Sequence, residues 1–165
     1  MLVGIMGKMG SGKTLAMTTL AAFIHQHTKA PIFANYKLKI PYTPIDNIGQ
    51  LWKAENGIFL FDEIWLSMDS RSWAYNVKMT HWVNQTRKKK LLVMYTTQHI
   101  SQVEMRARNA TDILIYTEKK PAGHCLTFID WQYQQLGRRY MLDKPERFYN
   151  LYDTFEVVKP VSMRY

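Results

Sequence analysis

Apolar and polar positions along the chain alternate between short unbroken apolar runs and longer stretches with helical spacing. The first run, Leu2 to Met6, ends in a glycine-rich turn, and residues 13–27 follow with Leu15, Thr19, Ala22 and Phe23 spaced as on one helix face. This predicts strand, loop, helix. Pro31 opens PIFANY, a second strand, and the proline-punctuated KLKIPYTPID leads into a helix over about residues 47–55 that Gly57 ends. IFLFDE comes next, and its continuous apolar character suits a strand buried on both faces of a parallel sheet. Residues 78–90 carry Met79, Trp82 and Val83 at helical spacing before a basic cluster. LLVMYTT then forms a fourth strand ending at Gln98, followed by a short helix from Gln102 and a fifth strand at ILIYT. Past Pro121-Ala122-Gly123, HCLTFIDWQY predicts an extended segment antiparallel to the fifth strand. After Gly137 the chain is charged and tyrosine-rich with little periodicity, which predicts a tail packed on the domain.

Strands alternating with helices specify an α/β three-layer sandwich whose ligand lies beyond the strand C-termini. Numbered in chain order, the five strands are expected in a mostly parallel sheet of order 5-1-4-3-2 with an antiparallel C-terminal extension. At 165 residues with 47% hydrophobic content, one domain is expected, a core over 1–117 and an extension over 118–165. Lys and Arg exceed Asp and Glu by 22 to 13, a charge of +9, which favours a polyanionic partner, although a solubility charge has the same sign. The single Cys125 permits no internal disulfide and points to a reducing cytoplasm. The N-terminus lacks a basic leader, and no apolar stretch approaches the about 20 residues of a membrane span.

The chemistry enters with Gly7-Lys8-Met9-Gly10-Ser11-Gly12-Lys13-Thr14, which fits G-x-x-x-x-G-K-S/T. Glycines in such a loop let backbone amides wrap phosphates, and the following helix N-terminus, from Leu15 on, adds a favourable dipole. Lys13 is expected to reach the outer phosphates of ATP, with the Thr14 hydroxyl in the Mg2+ shell. Asp62 and Glu63 end the buried strand, where an aspartate can hold Mg2+ waters and the next glutamate can orient and deprotonate an attacking water. A cap or surface turn would use the same residues. Kinases with this loop deliver the phosphoryl group to a bound acceptor, so a glutamate beside the metal aspartate argues for hydrolysis.

In the expected order, the strand ending at Gln98 lies between those carrying Lys13 and Asp62, so its amide is placed to sense the γ-phosphate or position water. A plain strand end is the alternative. Arg87 stands in TRKKK, which is open to three readings: a solvated helix end, a DNA-facing patch or an arginine finger. The first suits Lys88 to Lys90 best, and Arg71, Arg106 and Arg108 are further candidates for the finger.

The ordered set GKMGSGKT, FANYKLK, IFLFDE, DSR at 69–71, TRKK before LLVMYTTQH, and VEMRARNATD resembles FtsK/HerA-type ATPases. Within that superfamily it is most similar to viral genome-packaging ATPases and to the zonula occludens toxin-like ATPases of filamentous phages, over about residues 1–117. The resemblance implies a RecA-like core that assembles into a homo-oligomeric ring, pentameric or hexameric, and pumps double-stranded DNA, docked on a capsid or membrane-vertex protein in the host cytoplasm or virion. It carries Lys13 and Thr14 over as phosphate and Mg2+ ligands, Asp62 and Glu63 as the Walker B pair, Gln98 as the sensor, and Arg87 as a finger acting in trans. The toxin-like proteins usually have a membrane span after the core; its absence here favours packaging over phage assembly or export. A small-molecule or nucleotide kinase is the alternative from another class, for which no acceptor pocket or lid is evident.

Overall fold

The computed structural model describes residues 1–64, 82, 85, 86, 88–153, 156, 158 and 161. Strand β1 (Leu2–Met6) runs through the phosphate loop into helix α1 (Lys13–Thr28), followed by β2 (Ile32–Ala34), a two-residue β3 (Thr43–Pro44), α2 (Ile48–Lys53), β4 (Gly57–Phe61) and β5 (Leu91–Thr97). A 3-10 turn (Ile100–Gln102), α3 (Met105–Asn109), β6 (Ile113–Lys120), β7 (Gly123–Asp130), β8 (Gln135–Asp143) and a 3-10 helix (Pro145–Leu151) complete the described elements. All eight strands share one sheet in the order β3-β2-β4-β5-β1-β6-β7-β8. The five expected strands, now β6, β1, β5, β4 and β2, stand in the expected order and pair in parallel. β7 and β8 add to β6 as an antiparallel extension.

β4 and β5 show why their sequences are continuously apolar. Phe59 and Phe61 of β4, with Leu91, Val93 and Tyr95 of β5, pack on one face with Trp82, Val103 and Ala107. Ile58, Leu60 and Met94 pack on the other with Leu15, Ala16 and Met17 of α1. A strand covered on both faces buries every side chain and loses its two-residue alternation.

Four expectations need correction. The helix after the proline-rich segment stops at Lys53, and Gly57 is already the first residue of β4; the left-handed turn between them is made by Asn56, φ 57°. That helix starts with a capping box, Asn47 Oδ1 accepting from the Gln50 amide and Gln50 Oε1 from the Asn47 amide. On α1 the buried residues are Leu15, Ala16, Met17, Thr18 and Ala21, while Phe23 is 61% exposed. The helix packs against both the sheet and the C-terminal 3-10 helix, so no single stripe marks its inner face. The segment after Gln102 is a five-residue helix from Met105, preceded by a 3-10 turn. Finally, the segment expected as a tail contains β8, whose residues are almost all exposed, so burial imposes no pattern on it. Behind it, Tyr152 returns to the core, edge-on to Tyr36.

Of the expected helix over 78–90, Trp82 is fully buried and Thr86 is buried; most of the rest lies outside the described residues. Lys89 and Lys90 close the turn into β5, with the Lys89 amide on the Gln85 carbonyl and Lys90 left-handed. No helix among the described residues is long and apolar enough to cross a membrane.

Candidate functional site

Parallel register brings three strand ends to one edge. Met6 of β1 pairs with Thr97 of β5, and Phe61 of β4 pairs with Tyr95. The phosphate loop, Gln98 and the Asp62–Glu63 pair therefore leave the same side of the sheet, where ligands of open α/β sheets bind.

The loop is tied down at Ser11. Thr117 of β6 donates its hydroxyl proton to the Met6 carbonyl, 3.2 Å away, so across their 2.7 Å contact the Ser11 hydroxyl is the donor to Thr117. His124 of β7 donates from Nδ1 to the Ser11 carbonyl at 2.7 Å. Two glycines are required by this packing. A Cβ on Gly7 would lie 2.5 Å from the Ser11 hydroxyl and the Thr117 carbonyl, and Gly12 combines φ 88° with an imidazole 2.6 Å from where a Cβ would stand. Gly12 caps α1 without a side-chain hydrogen bond, and the first turn carries no acidic residue. The amide donors and positive end of a 16-residue helix thus face the loop.

Lys13 curls back so that its ammonium donates to the Lys8 carbonyl at 3.1 Å. Burial holds its pKa below the ordinary lysine value, opposed by the carboxylates of Asp62 and Glu63. Opposite it, Asp62 Oδ1 accepts from the Thr14 hydroxyl at 2.9 Å, across 48 residues of chain, and from the Thr96 hydroxyl at 2.6 Å. Thr96 Oγ1 also accepts the Glu63 amide at 2.8 Å, so one hydroxyl of β5 fixes both acidic residues. Asn35, just past β2, clamps the backbone of Asp62 from the other side, accepting from its amide at 2.8 Å and donating to its carbonyl at 3.1 Å. Glu63 itself is left-handed, φ 50°, a conformation that costs a non-glycine residue about 1–2 kcal/mol.

Thr96 and Asn35 escaped the motif reading because their roles exist only across strands. A signal was present in both cases: a threonine inside a buried apolar strand, and an asparagine ending another, each need a polar partner. Gln98 is exposed in the turn after β5, which is held by the Thr97 hydroxyl on the His99 carbonyl and the His99 amide on Gln102 Oε1. Arg87 and Arg71 lie outside the described residues. Arg106 and Arg108 are in α3; Trp131 donates to the Arg108 carbonyl near the start of β6, at the opposite end of the strands from the phosphate loop.

Burial raises the Asp62 pKa above the ordinary carboxyl value, against the opposing hydrogen bonds from Thr96 and Thr14 and the charge of Lys13. The folded chain therefore binds this proton more tightly than the unfolded chain, and stability falls as pH rises from about 3.8 through the folded pKa. Asp62→Asn keeps an oxygen acceptor for both hydroxyls and removes the buried charge. Without nucleotide or magnesium, it is expected to melt higher than the parent at pH 7, by about 2–4 °C for each ~1 kcal/mol relieved. The difference should close below pH 3.8, where the parent carboxyl is protonated in both states. A melting temperature at pH 7 equal to or below the parent's would mean that the attraction to Lys13 outweighs the burial cost.

The donor set of Thr14 hydroxyl and Asp62 carboxylate, two hard oxygens converging beside an ammonium and a helix N-terminus, suits Mg2+ with a triphosphate. No family model and no curated protein matches the chain. Solved structures that share its fold include the N-terminal domain of zonular occludens toxin from Neisseria meningitidis, at 22% identity over 92% of this chain and 98% of that one, TM-score 0.67. They also include B204, the DNA-packaging ATPase from Sulfolobus turreted icosahedral virus, at 12% identity over 84% of this chain and 96% of that one, TM-score 0.62. The genome packaging NTPase B204 from Sulfolobus turreted icosahedral virus 2, solved with ATP-gammaS, matches at 13% identity over 84% of this chain and 96% of that one, TM-score 0.60. The chain thus has the P-loop NTPase fold, and its neighbours fall in the two groups that its ordered motifs resemble.

Proposed function

We propose that this chain is a single-domain, Mg-dependent ATPase that couples hydrolysis to the movement of DNA, as a genome-packaging motor. The observation that carries the ATPase reading is the 2.9 Å bond between Thr14 and Asp62, which joins the ends of two motifs far apart in sequence on one point beside Lys13. In this reading the amides of Gly7 through Leu15 and the ammonium of Lys13 hold the phosphates. Thr14 and Asp62 would hold Mg2+, which when bound neutralises charge on the phosphate oxygens. Glu63 accepts the proton of the attacking water, and Gln98 faces the γ-phosphate. Arg87 is kept as a finger reaching a neighbouring subunit's site.

The packaging reading draws on the ordered motifs, the charge of +9 and the fold shared with B204. A second reading, phage assembly or export, draws on the higher identity and coverage of the toxin domain. Sedimentation of the Glu63→Gln protein with MgATP, with and without double-stranded DNA, separates them. A motor is expected to move from monomer to a multi-subunit ring on DNA, and the parent's turnover to rise with DNA. A protein that stays monomeric, with turnover indifferent to DNA, would sink the translocase reading and leave a switch that docks a protein partner.

A further inference from the structure

A cavity of about 590 Å3 opens beside the phosphate loop. One wall is the loop itself and the first turn of α1, including Gly12, Thr14 and Leu15. The other comes from the C-terminal third of the chain: Lys119 from the end of β6, His124 from β7, Tyr149 from the 3-10 helix and Tyr152 behind it. The position of this cavity follows from the strand order. Asp62, Glu63 and Gln98 leave β4 and β5 on one side of β1, whereas Lys119 and His124 lie on β6 and β7 on the other. A triphosphate with its terminal phosphate beside Asp62 and Lys13 must therefore carry its nucleoside toward β6 and β7. The volume is in the range of small-molecule pockets, about 300–1,000 Å3.

Resting on the ATPase reading above, we infer that this cavity is the nucleoside subsite and that Tyr149 is the residue on which the base of a purine nucleotide stacks. Tyr149 is 47% exposed, so its ring has a face to offer. Tyr152 is held in the core, edge-on to Tyr36 at 6.4 Å, its neighbours Leu151 and Asp153 bonded to the backbone of Lys39 and Lys37, and forms a fixed back wall. His124 has its Nδ1 committed to the Ser11 carbonyl. Stacking on the Tyr149 ring serves adenine and guanine alike, because every base has a π-face.

The test compares MgATP, MgGTP and magnesium tripolyphosphate, which has the phosphates and no nucleoside, by equilibrium binding. Tyr149→Ala is expected to weaken ATP and GTP alike by about 5- to 100-fold, the range of a lost base stack, and to leave tripolyphosphate unchanged. Tyr149→Phe keeps the ring and is expected to bind all three as the parent does. Parent-like ATP affinity in Tyr149→Ala, or an equal loss of tripolyphosphate, overturns the inference. A parent that binds none of the three overturns the ATPase reading itself.

Discussion

Lys13→Ala is expected to abolish ATP turnover, with kcat/KM down by about 10²–10³-fold or more, the cost of removing one fixed charge-stabilising donor from a phosphate or oxyanion site. The ammonium is partly buried, and burial already holds its pKa down, so the folded chain keeps a cation where solvation is poor. In the absence of nucleotide, the groups that offset that cost among the described residues are the Lys8 carbonyl, 3.1 Å away, and the more distant carboxylates of Asp62 and Glu63. In the proposed function a triphosphate would supply the missing counter-charge. Because Lys13 is poorly solvated when the site is empty, the alanine variant should fold at least as well as the parent, and thermal melting read alongside activity separates loss of chemistry from loss of structure. Lys8, though in the same loop, is exposed and cannot replace it. A variant that melts normally and keeps kcat/KM within about threefold of the parent would remove Lys13 from the site.

What the sequence could and could not disclose divides by the reach of each signal. The phosphate loop is local: its glycines, lysine and threonine are adjacent, and their spacing encodes the geometry. That β4 and β5 are covered strands of a parallel sheet was legible because they are buried on both faces and their residues say so, whereas their order came with the resemblance of the motifs and not with the burial pattern. β8 was not legible, since a strand exposed on both sides has no burial to pattern it. The buried face of α1 was misread for the converse reason: with the sheet beneath and the C-terminal 3-10 helix beside it, Thr18 is buried and Phe23 exposed. Thr18 is buried because it is bonded. Its hydroxyl donates to the Thr14 carbonyl, so Tyr36 is the donor in the 2.8 Å contact between Tyr36 and Thr18. The residues that hold the acidic pair, Asn35 and Thr96, and those that wall the cavity, His124 and Tyr149, come from four elements brought together only by the sheet order. No spacing within one motif can announce them.

The acidic pair yields the sharpest test of mechanism, because its two members stand in one turn and are assigned different work. Glu63→Gln is expected to lower kcat by about 10²–10⁴-fold, the contribution of a positioned general base, with ATP affinity essentially unchanged. Affinity should survive because Lys13, the loop amides, Thr14 and Asp62 are untouched. Geometry should survive because the Glu63 amide, bonded to Thr96 Oγ1 at 2.8 Å, belongs to the backbone. The substitution alters one atom of a partly buried side chain and leaves the left-handed φ of 50° as it was. Single-turnover hydrolysis and equilibrium ATP binding, measured on the same preparation, read the two effects separately. Loss of both together would mean that Glu63 helps to build the site and does not serve as its base. Parent-like turnover would mean that water is activated elsewhere. Transfer of the phosphoryl group from the parent to a nucleoside or nucleotide, in preference to water, would displace the motor by a kinase and leave the strain at Glu63 to be explained as a consequence of the turn.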